Sequence, residues 1–137
     1  MSENNFWRYI NKNMRGIGIF TRIENSFFKG IPDINFLIDG KEGWIELKYR
    51  DKFPVRNNTP IKLHHFTKEQ KLWHDNRVKN GGRTFLFVKV EKTYYLFKGK
   101  NIQFVGTMNK EEMENKSCKT WLNKINFKEF VRELCKN

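Results

Sequence analysis

The stretch Gly30-Ile31-Pro32-Asp33 is followed, thirteen residues after its aspartate, by Glu46-Leu47-Lys48. The second motif lies within Trp44-Ile45-Glu46-Leu47-Lys48, where apolar and polar residues alternate with the period of a half-buried strand. On such a strand, Glu46 and Lys48 point to one face and the apolar residues beside them point to the other. The sequence therefore predicts a carboxylate and an ammonium group presented side by side.

A second strand, residues 33–39, is predicted just upstream of the first. Pro32 stands at its start, where a missing N–H costs least. Gly40 separates the two apolar runs and predicts a hairpin turn together with residues 41–43. Pairing of the two strands would bring Asp33 close to the Glu-x-Lys motif.

Two carboxylates beside one lysine favour a divalent metal site that acts on a phosphate. Carboxylate oxygens are ligands that Mg²⁺ and Mn²⁺ prefer. A bound metal lowers the pKa of a water and offsets charge on the reacting phosphate, and a nearby lysine can position that water or stabilise the phosphate. The chemistry indicated is hydrolysis of a phosphodiester. The alternative is a solvated hairpin face with a Glu–Lys pair, which the preceding Gly-x-Pro-Asp motif at hairpin spacing disfavours.

The two motifs together, Gly30-x-Pro32-Asp33 and Glu46-x-Lys48, resemble the PD-(D/E)XK nuclease superfamily. The similar branch is the VRR-NUC and Holliday-junction-resolvase-like one, which includes small phage-encoded members, and the resemblance covers roughly the first two thirds of the chain. It implies an α/β fold of restriction-endonuclease-like type, with an αβββαβ core and a mixed central sheet flanked by helices. It also implies Mg²⁺ or Mn²⁺ as cofactor, DNA as substrate, Asp33 and Glu46 as metal ligands, and Lys48 as the catalytic lysine.

Two further residues match family positions less fully. Glu24 resembles an extra acidic residue upstream of the Pro-Asp element and is a candidate third metal ligand; the alternative is a surface carboxylate at a strand end. Gln70 resembles a glutamine that follows the Glu-x-Lys strand in several members and is a candidate catalytic residue. Its alternative role is in a capping box with Thr67, and the two roles are compatible.

Charge and length limit the class of protein. The 137 residues predict one nuclease domain, residues 1–137, with 27 Lys and Arg against 15 Asp and Glu and a formal net charge of +12. Such a basic domain most often binds nucleic acid. A membrane surface is the weaker alternative, since no long apolar span is present and the first residues are polar. We therefore expect a cytoplasmic protein, in a host cell if phage-encoded. Cys118 and Cys135 are expected to be free thiols.

Cationic and aromatic residues surround the predicted site in the sequence. They offset the repulsion between a carboxylate site and polyanionic DNA. The candidate DNA-binding residues are Lys29, Tyr49, Arg50, Lys52, Arg56, Lys62 and Lys68. The histidines at positions 64, 65 and 74 are expected to be exposed and to have no general-base role.

Periodicity and turn residues predict the remaining elements. Helices are expected at residues 3–14, 67–79 and 126–135, with Leu72 and Trp73 facing the core. Strands are expected at residues 17–23, 83–90 and 93–98, with a short one within 99–108. Residues 25–30 are interpreted as a turn or an excursion toward substrate, and residues 109–119 as an exposed helix or a mobile segment.

The sequence thus predicts a metal-dependent DNA endonuclease, structure-specific for branched or Holliday-junction DNA. Resolving a junction needs two sites, so a symmetric homodimer is expected. Surplus aromatics are predicted to form its exposed interface, namely Phe6, Trp7, Trp121 and Phe130. The alternatives are a non-catalytic DNA-binding module on the same fold and an RNA-processing nuclease, which phosphate contacts alone do not exclude.

Overall fold

The computed structural model shows a central sheet flanked by helices. It describes residues 2–24 and 29–137. Its helices are α1 (Glu3–Met14), α2 (Lys68–Lys79), α3 (Lys110–Lys116) and α4 (Phe127–Cys135), with a 3₁₀ segment at Gly99–Phe104. Its strands are β1 (Ile19–Arg22), β2 (Ile34–Ile38), β3 (Lys41–Arg50), β4 (Thr84–Val90), β5 (Thr93–Lys98) and β6 (Lys119–Leu122). The order α1-β1-β2-β3-α2-β4 is the αβββαβ core expected from the sequence.

The sheet is mixed. In the part of the chain that is described, six strands lie side by side in the order β1-β2-β3-β4-β5-β6. Strands β3 and β4 are parallel, and the other neighbours are antiparallel. A parallel pair needs a long crossover, which the segment containing α2 provides. The predicted fold class, an α/β fold with a mixed sheet flanked by helices, is confirmed.

The two faces of the sheet carry separate cores. On one face, α1 and α4 pack against the sheet, and Phe87 stacks on Phe130 with ring centroids 5.0 Å apart. On the other face, Leu86 and Tyr95 pack with apolar residues of the 3₁₀ segment and α3. Strand β3 contributes Ile45 and Leu47 to the first core and turns Glu46 and Lys48 toward the opposite face, because side chains alternate along a strand.

The prediction that four surplus aromatics form an exposed interface is wrong. Phe6 and Phe130 are completely buried, Trp121 is 7% exposed, and Trp7 is partly buried against the same core. Both terminal helices lie on one face of the sheet, so their aromatic residues fill the space between helix and strand.

Two other expectations need correction, and one strand was not expected. The strand expected within residues 99–108 is the 3₁₀ segment, whose Ile102 is buried. Of the two alternatives for residues 109–119 the helix is confirmed: α3 spans Lys110–Lys116 and is largely exposed, with Met113 in the second core. The sequence does not predict β6, because its register comes from pairing with β5. Leu72 does not face the core, since 60% of it is exposed. Trp73 is half-buried, and its ring lies 5.3 Å from that of Trp44.

No helix within the described ranges has the length and apolar character needed to span a membrane. The predicted excursion at residues 25–30 falls largely on residues 25–28, which lie outside those described.

Candidate active site

The β2–β3 hairpin positions the first candidate residue. Its turn is the pair Asp39 and Gly40, both with positive φ (49° and 76°), as a two-residue hairpin turn requires, so residues 41–43 belong to the strand and not to the turn. The register sets Ile34 opposite Ile45, which brings Asp33 beside the Glu-x-Lys motif. Oδ2 of Asp33 accepts a hydrogen bond of 2.8 Å from the amide of Leu47. The carboxylate is thereby fixed against the strand that carries Glu46.

Gly30 has a steric role in this arrangement. Its φ of 91° lies in the region that favours glycine, and a Cβ at this position would lie 2.5 Å from the carbonyl oxygen of Glu69 in α2. The loop before Asp33 therefore packs directly on the first turn of α2, the turn that also carries Gln70.

Glu46 and Lys48 form a buried pair on the same face of β3. They are 1% and 4% exposed, and Nζ of Lys48 lies 3.4 Å from Oε2 of Glu46. Nζ also donates a hydrogen bond of 2.9 Å to the carbonyl of His65, and Nε2 of Gln70 donates one of 3.4 Å to Oε2 of Glu46. Oε1 of Glu46 is buried and has no hydrogen-bond partner. One carboxylate oxygen is therefore held by protein donors, and the other has none.

The surroundings of Glu46 strongly disfavour its negative charge. Burial is the largest cause, the nearby carboxylate of Asp33 adds to it, and Lys48 opposes both; together they raise the pKa of Glu46 well above its usual range. A divalent cation between the two carboxylates would reverse this preference, because it supplies the charge that both lack.

The donor set fits a magnesium-type ion. Asp33 and Glu46 would hold it, since Mg²⁺ commonly binds one or two carboxylates and completes its shell with waters and phosphate oxygens. A cluster of three or more His, Cys, Asp or Glu side chains with metal-binding geometry is absent from the described residues. The candidate ligands among the described residues are therefore the two carboxylates of Asp33 and Glu46.

Glu3 is an acidic residue that interacts electrostatically with the candidate centre, and the sequence analysis did not single it out. It lies at the start of α1, and the pKa of its carboxyl is raised chiefly by burial, while Lys48 lowers it and Asp33 raises it. The first turn of α1 is therefore within electrostatic range of the candidate centre. Sequence spacing gives no signal for this, because the long-range packing of α1 on the sheet decides it.

The two secondary candidates have different positions. Gln70 serves both suggested roles: its Oε1 accepts the amide of Thr67 at 3.0 Å in a capping box, and its Nε2 reaches Glu46. Glu24 is exposed just beyond β1, next to Ile23, whose amide donates to the carbonyl of Asp33. Within the described ranges, the Glu24 carboxylate forms no hydrogen bond or ion pair with Asp33 or Glu46.

The histidines differ from expectation at one position. His64 and His65 are exposed, as predicted, and His65 contributes its backbone carbonyl from a left-handed conformation with φ of 66°. His74, however, is buried, and its Nδ1 lies 2.6 Å from Oγ1 of Thr84. Burial is the main cause that lowers the pKa of His74 to about 4, and Lys48 adds to it. The expectation of an exposed side chain was wrong because α2 turns this position, and not Leu72, toward the sheet.

The predicted DNA-binding residues fall into two groups. Five are exposed cations, namely Lys29, Lys52, Arg56, Lys62 and Lys68. The other two make contacts within the protein: Tyr49 donates its hydroxyl to Asp51 at 3.0 Å, and Arg50 donates to the carbonyl of Lys62 at 3.0 Å. Arg50 thus ties the loop after β3 back to the strand.

Comparison with known proteins gives a likeness in structure and none in sequence. No protein-family model matches the chain, and no curated protein matches it. Among solved structures, the chain is similar to Archaeoglobus fulgidus Hjc, a Holliday junction resolvase from an archaeal hyperthermophile, with a TM-score of 0.42 and 13% identity. The likeness covers 82% of this chain and 98% of that one. The site assignments above depend on distances within this chain and not on that likeness.

Proposed function

We propose that this chain is a metal-dependent DNA endonuclease that hydrolyses phosphodiester bonds, with Asp33, Glu46 and Lys48 as its central residues. The observation that carries the proposal is a buried Glu–Lys pair beside a fixed aspartate, with one oxygen of Glu46 left without a donor. Placing two such charges inside a protein costs stability, and that cost is typical of catalytic sites.

Each residue has a distinct task in this proposal. When bound, Mg²⁺ or Mn²⁺ supplies Lewis acidity and lowers the pKa of a water. Asp33 presents its carboxylate in a position fixed by the Leu47 amide. Glu46 would hold the ion through its carboxylate, which Gln70 orients through Oε2. Lys48, held by the carbonyl of His65, presents its ammonium group to the phosphate or to the attacking water.

DNA is the proposed substrate because the chain is strongly basic. Its formal net charge is +12, and exposed lysines and arginines follow β3 in the sequence. Contacts of this kind neutralise phosphates without reading sequence. We propose branched DNA over a fixed sequence as the target. The alternatives are a non-catalytic DNA-binding module on the same fold and an RNA-processing nuclease.

The decisive experiment is cleavage of a substrate panel with matched variants. Linear duplex, single strand, flap, four-way junction and RNA are incubated with Mg²⁺, Mn²⁺ or EDTA. We expect cutting of branched DNA that needs the metal and is lost in Glu46→Gln and Lys48→Met. Glu42→Gln and Lys41→Met are the controls, because they make the same changes near the start of the same strand. Cutting that persists in EDTA would exclude the metal mechanism, and binding without any cutting would leave the non-catalytic module.

A homodimer is the proposed working unit, since cutting paired strands of a junction needs two sites. Its support is an exposed apolar patch at the β1 edge of the sheet, formed by Ile17, Ile19 and Leu37, which are 47%, 63% and 39% exposed. Sedimentation at micromolar concentration should give about twice the chain mass, and Ile19→Lys should give the monomer. A wild-type protein that stays monomeric both free and on a four-way junction would leave a nicking enzyme as the better account.

A further inference from the structure

A cleft of about 670 Å³ lies at the ends of β3 and β4, beyond the catalytic centre. Its wall includes Tyr49, the residue that directly follows Lys48, and Lys89, which is paired with Tyr49 in the parallel register. Because side chains alternate along a strand, Tyr49 and Lys89 point to the face opposite that of Lys48, whereas Phe53, also part of the wall, packs against the second core on the face of Lys48. The cleft therefore passes around the end of the sheet toward the face that carries the proposed catalytic lysine. The chemistry of that centre does not use it.

Lys89 is an unusual residue for its position. Every residue of β4 is buried, and Lys89 itself is only 7% exposed. Its ammonium lies 5.3 Å from the ring centroid of Tyr94 and 6.0 Å from that of Tyr49, and burial lowers its pKa. The strand thus places a cation between two aromatic rings at the wall of the cleft.

The rest of the lining combines cations with aromatic surface. Lys52, Lys92 and Lys110 join Lys89, so four lysines face two carboxylates, of which Asp51 already accepts the hydroxyl of Tyr49. Nζ of Lys110 lies 4.5 Å from the ring centroid of Phe53. Aromatic faces interleaved with lysines are the arrangement by which proteins bind single-stranded nucleic acid, with rings for the bases and ammonium groups for the phosphates.

We propose that this cleft binds the unpaired DNA strand that adjoins the scissile phosphate. This inference rests on the proposed nuclease function. It adds a binding site for the unpaired strand, which would give the enzyme its specificity for branched DNA. An unpaired strand fits better than a duplex because its bases are free to stack on Tyr49 and Phe53, whereas duplex bases are already stacked on each other.

The test compares two double variants that lose the same charge in different places. Fluorescence anisotropy in EDTA, where no cutting occurs, measures binding to a blunt duplex and to the same duplex with a flap of about five nucleotides. Lys92→Ala with Lys110→Ala changes the cleft, and Lys12→Ala with Lys128→Ala is the control; all four lysines are exposed, so folding should be preserved.

We expect the cleft variant to lose about tenfold in affinity for the flap and less than about twofold for the duplex. Its log–log salt slope on the flap should fall by about 1.4, since each single-strand phosphate contact contributes roughly 0.7. The control should lose little on either DNA. Flap bases labelled with 2-aminopurine should be quenched by the wild type and less by Phe53→Leu, which keeps apolar packing and removes the ring.

If the two double variants lost the same affinity for the flap, net charge alone would explain binding. The proposal that the cleft binds the unpaired strand would then be wrong. Unchanged quenching in Phe53→Leu would overturn the stacking of bases in the cleft. Cutting of branched DNA by the wild type would still support the nuclease function in either case. A wild type that bound neither DNA would overturn both.

Discussion

The two faces of β3 show the same burial and opposite chemistry. Ile45 and Leu47 are 0% and 2% exposed on one face, and Glu46 and Lys48 are 1% and 4% exposed on the other. Burial of the first pair stabilises the fold through the hydrophobic effect. Burial of the second pair carries a desolvation penalty that its mutual attraction only partly offsets. The residues on one face of β3 thus stabilise the fold, and those on the other face are the candidates for catalysis. Substitutions on each face can test the two roles separately.

The largest expected effect is loss of cleavage in Glu46→Gln and in Lys48→Met. Each should lower the single-turnover rate on the order of 10⁴-fold, equivalent to about 5.5 kcal/mol of transition-state stabilisation. Thermal unfolding should show unchanged or raised stability for Glu46→Gln, since a neutral amide replaces a group whose charge is disfavoured there. If Glu46→Gln cut DNA at near the wild-type rate, the face of β3 that carries Glu46 and Lys48 would not be the catalytic one.

The apolar face should respond in the opposite sense. Phe87 packs with ring centroids 5.1 Å from Phe6 and 5.0 Å from Phe130, so it joins both terminal helices to the sheet. Phe87→Ala should cost about 3–5 kcal/mol of unfolding free energy, measured by urea denaturation. Phe87→Leu, which keeps most of the volume, should cost much less. Activity per folded molecule, measured well below the melting temperature, should stay close to wild type in both variants.

The sequence predicts which side chains of β3 share a face, because the alternation of residues 44–48 depends only on local strand geometry. The hairpin that brings Asp33 to Glu46 was readable for the same reason, since Gly40 marks its turn. Glu3 was missed because its approach to the centre depends on where α1 packs, which no local pattern encodes. His74 was misjudged because α2 has little apolar periodicity, so the sequence did not indicate which of its sides is buried.

The third test uses pH and concerns His74. Its pKa is about 4 in the folded protein and near its ordinary 6.5 when unfolded, so the unfolded state takes up the proton first as pH falls. The contribution of the neutral imidazole to the free energy of unfolding is therefore fully present above about pH 6.5 and is lost as the pH falls toward 4. The loss should reach about 2 kcal/mol at pH 4.5.

Urea denaturation between pH 7 and pH 4.5 checks this expectation. His74→Asn should flatten that part of the stability profile, whatever its effect at pH 7. His64→Asn is the matched control, because His64 is exposed and its replacement should leave the profile unchanged. A profile that is the same in wild type and His74→Asn would show that other groups cause the acid sensitivity.

The smallest expected effect compares the capping boxes of α2 and α3. Thr67 accepts the amide of Gln70 at 3.2 Å, and Asn109 accepts the amide of Glu112 at 2.9 Å, so the two helix starts are alike in local chemistry. Thr67→Ala and Asn109→Ala should each cost about 1 kcal/mol of stability.

Only the first box is connected to the candidate centre, because the side chain of Gln70 both closes the box and donates to Glu46. Thr67→Ala should therefore also lower the cleavage rate several-fold, whereas Asn109→Ala should leave it unchanged. Single-turnover rates measured at equal folded fraction distinguish the two variants. If both lost the same activity, general loosening of the fold would explain it; if neither lost any, Gln70 would hold Glu46 without help from the helix start.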